Sequence, residues 1–174
     1  YSYIAPLITD VAGLNENIVS YAMIIAGLGM VVGNFVGAKL AEIFTPLKAV
    51  IISLVVMVSV LLLNSFIASS GYIVLLMTFI IGMVAFTVST PIQMAVIKSA
   101  KGSEMLGSSA NQSAFNMGNA SGAYFAGLPI AYGLSYTSAS IVGAIMACSG
   151  VILAVSIVWY RKQKASKQQL AFQN

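Results

Sequence analysis

The chain alternates long apolar runs with short polar interruptions, and the runs are longer than most soluble core helices. Windows of about 20 mostly apolar residues fit near 18–38, 48–68, 72–97, 105–133 and 138–160, enough for a helix to cross the roughly 30 Å hydrocarbon core of a bilayer. Five full spans follow. Ahead of them, YSYIAPLI is apolar and aromatic but offers only eight residues before Thr9 and Asp10, less than half a crossing. It reads as the end of a cut helix, because the chain opens on Tyr rather than Met and eight residues are too few for the apolar region of a signal peptide. The expected fold is an all-α membrane protein of six transmembrane helices with the first truncated.

Composition agrees with this pattern. Hydrophobic residues make up 59% and charged residues 7%, whereas globular domains carry about a quarter charged residues. A soluble domain is excluded, and so is a disordered chain, which needs few apolar residues and many charges. There is no His and one Cys, Cys148, so a Cys/His zinc site, a haem site or a disulfide framework has nothing to build from. No cofactor is expected, and Cys148 reads as a small packing residue. Catalysis is equally unsupported: Ser and Thr are plentiful, but no His can act as base and the Lys residues lie at the membrane edge.

The formal charge of +4 would suggest nucleic acid in a soluble protein, but its placement argues for membrane orientation instead. Lys39 and Lys48 flank one connection, Lys98 and Lys101 lie in another, and Arg161, Lys162, Lys164 and Lys167 sit in a tail over 161–174. If each segment crosses once, all of these fall on one side. The connections around Asp10 and Glu16, Asn64 to Gly71, and Gly133 to Thr137 contain no Lys or Arg. By the positive-inside rule the basic side is cytoplasmic. Trp159 and Tyr160 precede Arg161 as an interfacial belt would, and Tyr72 and Tyr136 suit the opposite interface.

The sequence also repeats itself. GNFVGA at 33–38 returns as GNASGA at 118–123, an offset of 85, and Pro6 and Pro91 share that offset, as do Val11 with Val96 and Ala41 with Ala126. The offset maps the first span onto the fourth and the second onto the fifth. Each repeat therefore holds three helices, about 1–70 and 71–160. An odd number of crossings reverses direction, so the triplets are inverted relative to each other, as in secondary transporters. Pro6 and Pro91 then occupy matching helices, where a missing N–H and a ring clash disturb the backbone. Thr87, Ser89 and Thr90 are placed to satisfy carbonyls freed near Pro91.

Two polar and small-residue patterns remain. Gly29, Gly33 and Gly37 fall four apart, flanked by Asn34, and bare one helical face for close approach of another backbone; Gly118 and Gly122, flanked by Asn119, do the same in the fifth span. Such faces serve static packing or sliding between moving bundles. Ser108, Gln112, Asn116 and Asn119 line one helical face, with Asn111 on a flanking strip. Amides facing lipid would lack partners, so this stripe faces protein or water. Interhelical hydrogen bonding is one reading; a cavity wall for an uncharged polar solute is the other, with Gln112 and Asn116 the candidates. Gln93, two residues past Pro91, is the polar group of the fourth span, and Tyr1 and Tyr3 precede Pro6. All four acids, Asp10, Glu16, Glu42 and Glu104, fall outside the apolar cores, so this chain offers no buried carboxylate for a proton relay.

YSYIAPLITDVAGL, GLGMVVGNFVGAKLAE, STPIQMAVIKSAKGSEMLGSSANQSAFNMGNASGAY and GLSY together resemble the C-terminal half of a major facilitator superfamily transporter. The branch is the arabinose-efflux permease type within the drug and sugar proton antiporters, and the resemblance covers essentially the whole chain. It implies that the chain supplies transmembrane helices seven to twelve of a twelve-helix fold, and that its partner is an N-terminal six-helix half of the same protein. It also implies that helices seven and ten line the central cavity, eight and eleven pack across to the other half, and nine and twelve face lipid. A bacterial inner-membrane location and efflux of sugars or small amphipathic compounds, with protons as counter-substrate, follow as expectations. Gly33, Gly37, Lys39, Leu40, Ala41 and Glu42 resemble the family's cytoplasmic loop motif, in which an acid at the Glu42 position helps latch the inward-closed state. Ile43 and Thr45 depart from that motif, leaving a solvated or helix-capping acid as the other reading. The alternative to a transporter is a membrane scaffold that packs against partner helices.

The charge asymmetry makes a direct prediction. With Cys148 replaced by Ser and Ser166→Cys introduced, a membrane-impermeant maleimide should leave intact cells unlabelled and label inside-out vesicles. Labelling of intact cells would reverse the orientation.

Overall fold

The computed structural model describes residues 3–67 and 73–172, apart from the side chains of 165 and 167–172. Tyr1, Tyr72 and the Lys167 side chain lie outside the described residues. The chain forms α1 (Ile4–Pro6) running into a π-helical turn (Leu7–Val11), then α2 (Asn17–Ile43), α3 (Pro46–Ile67), α4 (Ile73–Ser99), α5 (Glu104–Ala131) and α6 (Ser138–Phe172). The fold is all-helical, as the hydrophobic windows predict.

Local chemistry sets the connections. Phe44 turns extended at the end of α2 and donates its N–H to the Leu40 carbonyl. Pro46 then opens α3, where its missing N–H is harmless. The four-residue link between α4 and α5 turns on Gly102 at φ +80, with the Glu104 carboxylate accepting the Gly102 N–H at 2.9 Å. Gly133 at φ +85 ends α5 in the same left-handed conformation.

The register of the packing gives the topology. A Cβ added to Gly29, Gly33 or Gly37 would strike the backbone carbonyl of Phe79, Met83 or Thr87 respectively. Both series climb together, a constant fifty positions apart, so α2 and α4 run parallel and in step. On α3 and α6 the pairs run oppositely. Asn64 donates to Ser140 Oγ at 2.8 Å, Leu61 faces Gly143 and Leu54 faces Gly150, so these helices are antiparallel. The α4–α5 hairpin is antiparallel too, with Gly107 against Val96 and Ala100. Consequently α2 opposes α5 and α3 opposes α6, and the two triplets are inverted. Helix α4 sits at the centre, packed against α2, α3 and α5.

The α2–α4 seam exists because its residues are small. Ala22, Ala26, Gly29, Gly33, Gly37 and Ala41 form the buried stripe of α2. At each of the three glycines a Cα hydrogen stands where Cβ would be and points at a carbonyl of α4, a contact worth about 0.5–1 kcal/mol. Thr87, buried at the middle of the seam, donates to its own-helix Met83 carbonyl at 2.8 Å and across to the Gly33 carbonyl at 3.2 Å. Near the opposite end, Ile8, Ala22 and Val74 form a compact apolar cluster tying the π turn to α2 and α4.

Three expectations need adjustment. Among the described residues four helices, α2, α3, α4 and residues 138–164 of α6, are long and apolar enough to cross a bilayer. Helix α5 has the length, about 42 Å, but its amides and serines make it too polar to qualify by composition. Its placement rests on its neighbours α4 and α6. Second, the segment expected as a tail from 161 is helical as far as Phe172, continuous with α6, which is about 52 Å long in all. Third, α4 runs unbroken through the buried Pro91, and the hydroxyls of Thr87 and Thr90 bond the Met83 and Phe86 carbonyls rather than the Thr87 carbonyl that Pro91 leaves free. Gly37 lies against that Thr87 oxygen instead.

A matched pair of substitutions tests the seam. Gly33→Ala must push α2 off the Met83 backbone and should cost about 1–3 kcal/mol. Gly27→Ala, which meets nothing within 4 Å, should be neutral or slightly stabilising. Thermal unfolding in detergent reads the difference; equal midpoints for the two would refute the close approach.

Candidate functional site

The polar side chains of the three central helices form a connected track. On α4, Thr87, Thr90 and Gln93 are spaced by three, and each step falls about 60° short of a full turn. The strip therefore winds from the side facing α2 toward the side facing α5. At its α2 end Thr90 donates to Asn34 Oδ1 at 2.9 Å. At its α5 end Gln93 Nε2 donates to Ser108 Oγ at 2.8 Å, and Asn111 Nδ2 donates to Gln93 Oε1. Gln93 thus bridges two α5 residues one turn apart, using both ends of its amide.

This arrangement turns the rest of the α5 stripe outward. Asn111 faces α4, and Gln112 lies about 100° round the helix from it. Gln112, Asn116 and Asn119 are exposed and, among the described residues, make no hydrogen bond. Asn34 is exposed as well, so the α2 end of the track also reaches the surface. Of the candidates named from sequence, Gln93 and Asn34 are therefore tied into the track, while Gln112 and Asn116 line open surface. Ser108, which the helical-face argument put in the polar stripe, and Asn111, which it put on a flanking strip, are the actual partners of Gln93. Hairpin register contains the signal that finds them: antiparallel helices joined across 100–103 bring position 93 opposite positions 108 to 111.

The small-residue candidates divide in the same way. Gly29, Gly33 and Gly37 are sealed against α4, whereas Gly118 and Gly122 meet nothing within 4 Å among the described residues. The contact of the first segment with α5 falls just beyond them, where the Tyr3 hydroxyl donates to the Ala123 carbonyl at 3.0 Å and lies against Gly127. Asn119 is accordingly free where its repeat counterpart Asn34 is bonded. Pro6 is half-buried at the junction of α1 with the π turn, beside an open groove of about 490 Å³ that also touches Thr9 and Glu16. Tyr1 lies outside the described residues.

Charge stays out of the track. Glu42 pairs with Lys39 at 3.3 Å on the surface, one turn along α2, with both side chains well exposed. Such a pair contributes at most about 1 kcal/mol. Among the described residues no cluster of metal-ligating side chains occurs. What the track offers is amides and hydroxyls, each able to donate and accept, which suits an uncharged polar solute.

The bundle is all-helical, built of inverted triplets, with a polar track through its central helix. The chain belongs to the Major Facilitator Superfamily, whose sequence pattern matches residues 1–173. It is 30% identical over 166 residues to a protein described as putative transporter AraJ from Escherichia coli (strain K12), covering 95% of this chain and 42% of that one. It is 33% identical over 165 residues to the inner membrane transport protein YdhP of the same strain, covering 94% of this chain and 41% of the relative. An uncharacterized MFS-type transporter of Bacillus subtilis (strain 168), YfhI, is 30% identical over 156 residues, 88% of this chain and 38% of that one. The chain thus spans about two fifths of the length of these relatives. No solved structure gives a significant match.

Gln93 is the residue whose loss separates packing from exposure. Gln93→Ala leaves Ser108 and Asn111 without their α4 partner and should lower the stability of the purified protein by about 1 kcal/mol. Gln112→Ala, at an exposed and unbonded site, should change it by less than about 0.5 kcal/mol. Equilibrium unfolding in detergent would contradict the network if the two variants ranked the other way.

Proposed function

We propose that this chain is the C-terminal half, helices seven to twelve, of a secondary active transporter that works by alternating access between two six-helix bundles. The observation that carries it is the uncharged polar track from Asn34 through Thr90 and Gln93 to Ser108 and Asn111, which opens onto the free amides Gln112 and Asn116. In a bilayer those amides need protein or water opposite them, and an aqueous pathway between two halves supplies it. Helices α4 and α5 carry the solute-facing groups, and Tyr1 and Tyr3 add aromatic surface from the matching helix of the first triplet.

The solute class is a sugar or another small amphipathic compound, because amides and hydroxyls without a charged group recognise hydroxyls best. Direction is outward, with the basic end of the bundle cytoplasmic in a bacterial inner membrane. Proton antiport fits this arrangement only if the coupling acids belong to the other half, since Asp10, Glu16, Glu42 and Glu104 all lie toward helix ends. Glu42, held by Lys39 on the surface, acts as a solvated acid near the interface of the halves rather than a strong latch.

The test uses the full-length protein in inverted vesicles energised by a proton gradient. Uptake of sugars and small amphipathic compounds should fall at least about tenfold in the Gln112→Ala, Asn116→Ala double variant, equivalent to about 1.4 kcal/mol of lost binding. Wild-type uptake of every substrate by that variant would remove these two residues from the pathway.

A further inference from the structure

The basic end of the bundle is more than a marker of orientation. Because α2 runs parallel with α4 and α6 antiparallel to α3, seven described cations, Lys39, Lys48, Lys98, Lys101, Arg161, Lys162 and Lys164, share one end. Among the described residues only two side-chain carboxylates share it, and both are engaged: Glu42 with Lys39, and Glu104 with the Gly102 N–H. Of the six other cations Lys48 stands on α3, while Lys98 and Lys101 flank the end of α4 and Arg161, Lys162 and Lys164 lie on the stretch of α6 that meets it. There one guanidinium nitrogen of Arg161 donates to Ser99 Oγ at 3.1 Å, fastening α6 beside the end of α4 between Lys98 and Lys101. None of these last five cations is in an ion pair among the described residues.

Depth is set by the same helix. Trp159 and Tyr160, 64% and 67% exposed, stand immediately before Arg161, as aromatic residues do at the membrane interface. The cations that follow on α6, and those of the 98–101 stretch bound to it, therefore lie at headgroup level. Arg161 spends one donor on Ser99 and keeps the rest of its planar fork free, the geometry that phosphate oxygens accept in pairs.

We propose that this junction is a docking surface for the phosphate headgroup of an anionic phospholipid, held by Arg161, Lys98 and Lys101 and supported by Lys162 and Lys164. The bound headgroup neutralises cations that would otherwise repel across the α4–α6 contact, and so fastens the end of α6 to the α4–α5 connection. The surface is independent of what the transporter carries, so it stands or falls separately from the solute assignment.

The experiment places the full-length protein in nanodiscs of phosphatidylcholine with or without phosphatidylglycerol, and reads bound lipid by native mass spectrometry and stability by the unfolding midpoint. Wild type should retain phosphatidylglycerol over phosphatidylcholine and unfold at higher temperature when it is present. Removing cations by Lys98→Gln, Lys101→Gln and Arg161→Gln should weaken retention by about fivefold per residue, the equivalent of about 1 kcal/mol each. Lys48→Gln, at the same end but on α3, should leave it unchanged. Equal retention of the two lipids by wild type overturns the proposal without recourse to any variant. So does a preference that survives the triple substitution, a loss as large in Lys48→Gln, or the same midpoint shift from inorganic phosphate alone.

Discussion

The bundle depends on how closely two backbones approach. Gly29, Gly33 and Gly37 of α2 sit on the carbonyls of Phe79, Met83 and Thr87, in positions that no side chain could occupy. In lipid there is little hydrophobic force between apolar helices, so this close packing, with the Thr87 hydroxyl reaching the Gly33 carbonyl, is what holds α2 to α4. Everything functional is positioned by it. The parallel register brings Asn34 alongside Thr90, aims Gln93 away from the seam toward α5, and puts Lys39 at the same end as Lys98.

The free carbonyl left by Pro91 shows how the seam and the track are linked. Proline removes the N–H that would have bonded the Thr87 oxygen, and the bare Gly37 lies against that oxygen from α2. Three and six residues past Thr87, Thr90 and Gln93 make cross-helix bonds to α2 and to α5 respectively. Within a turn of Pro91, α4 is thus tied to both neighbours. These ties stiffen α4 at the proline, as the proposed alternating access between two six-helix bundles requires.

Much of this was legible in the chain itself. Apolar windows located the helices to within a few residues, apart from the end of α6, which runs on to Phe172, because a span must satisfy its backbone internally and its length is set by the bilayer. The repeat offset gave the inverted triplets, and charge placement gave the common basic end. The partners of Gln93 were not read, because a helical-face argument treats one helix at a time, whereas Asn111 and Ser108 are selected by the turn at Gly102 and the antiparallel register it imposes. Nor did the repeated GNxxGA motif distinguish its copies. Gly33 and Gly37 are sealed by α4, whereas Gly118 and Gly122 are open among the described residues, a difference that arises from neighbours and not from the motif. Asn64, read from sequence as the start of a connection, lies inside α3, buried and bonded to Ser140 of α6.

The most direct measurement is a disulfide staple across the seam. In a full-length protein with Cys148 replaced by Ala, cysteines at Asn34 and Thr90, whose side chains touch, join α2 to α4 on oxidation. If the six helices move as one body, the oxidised protein transports at the rate of the reduced one. Transport lost on oxidation and restored by reductant would show that α2 and α4 must separate during the cycle, and would contradict a rigid half-bundle.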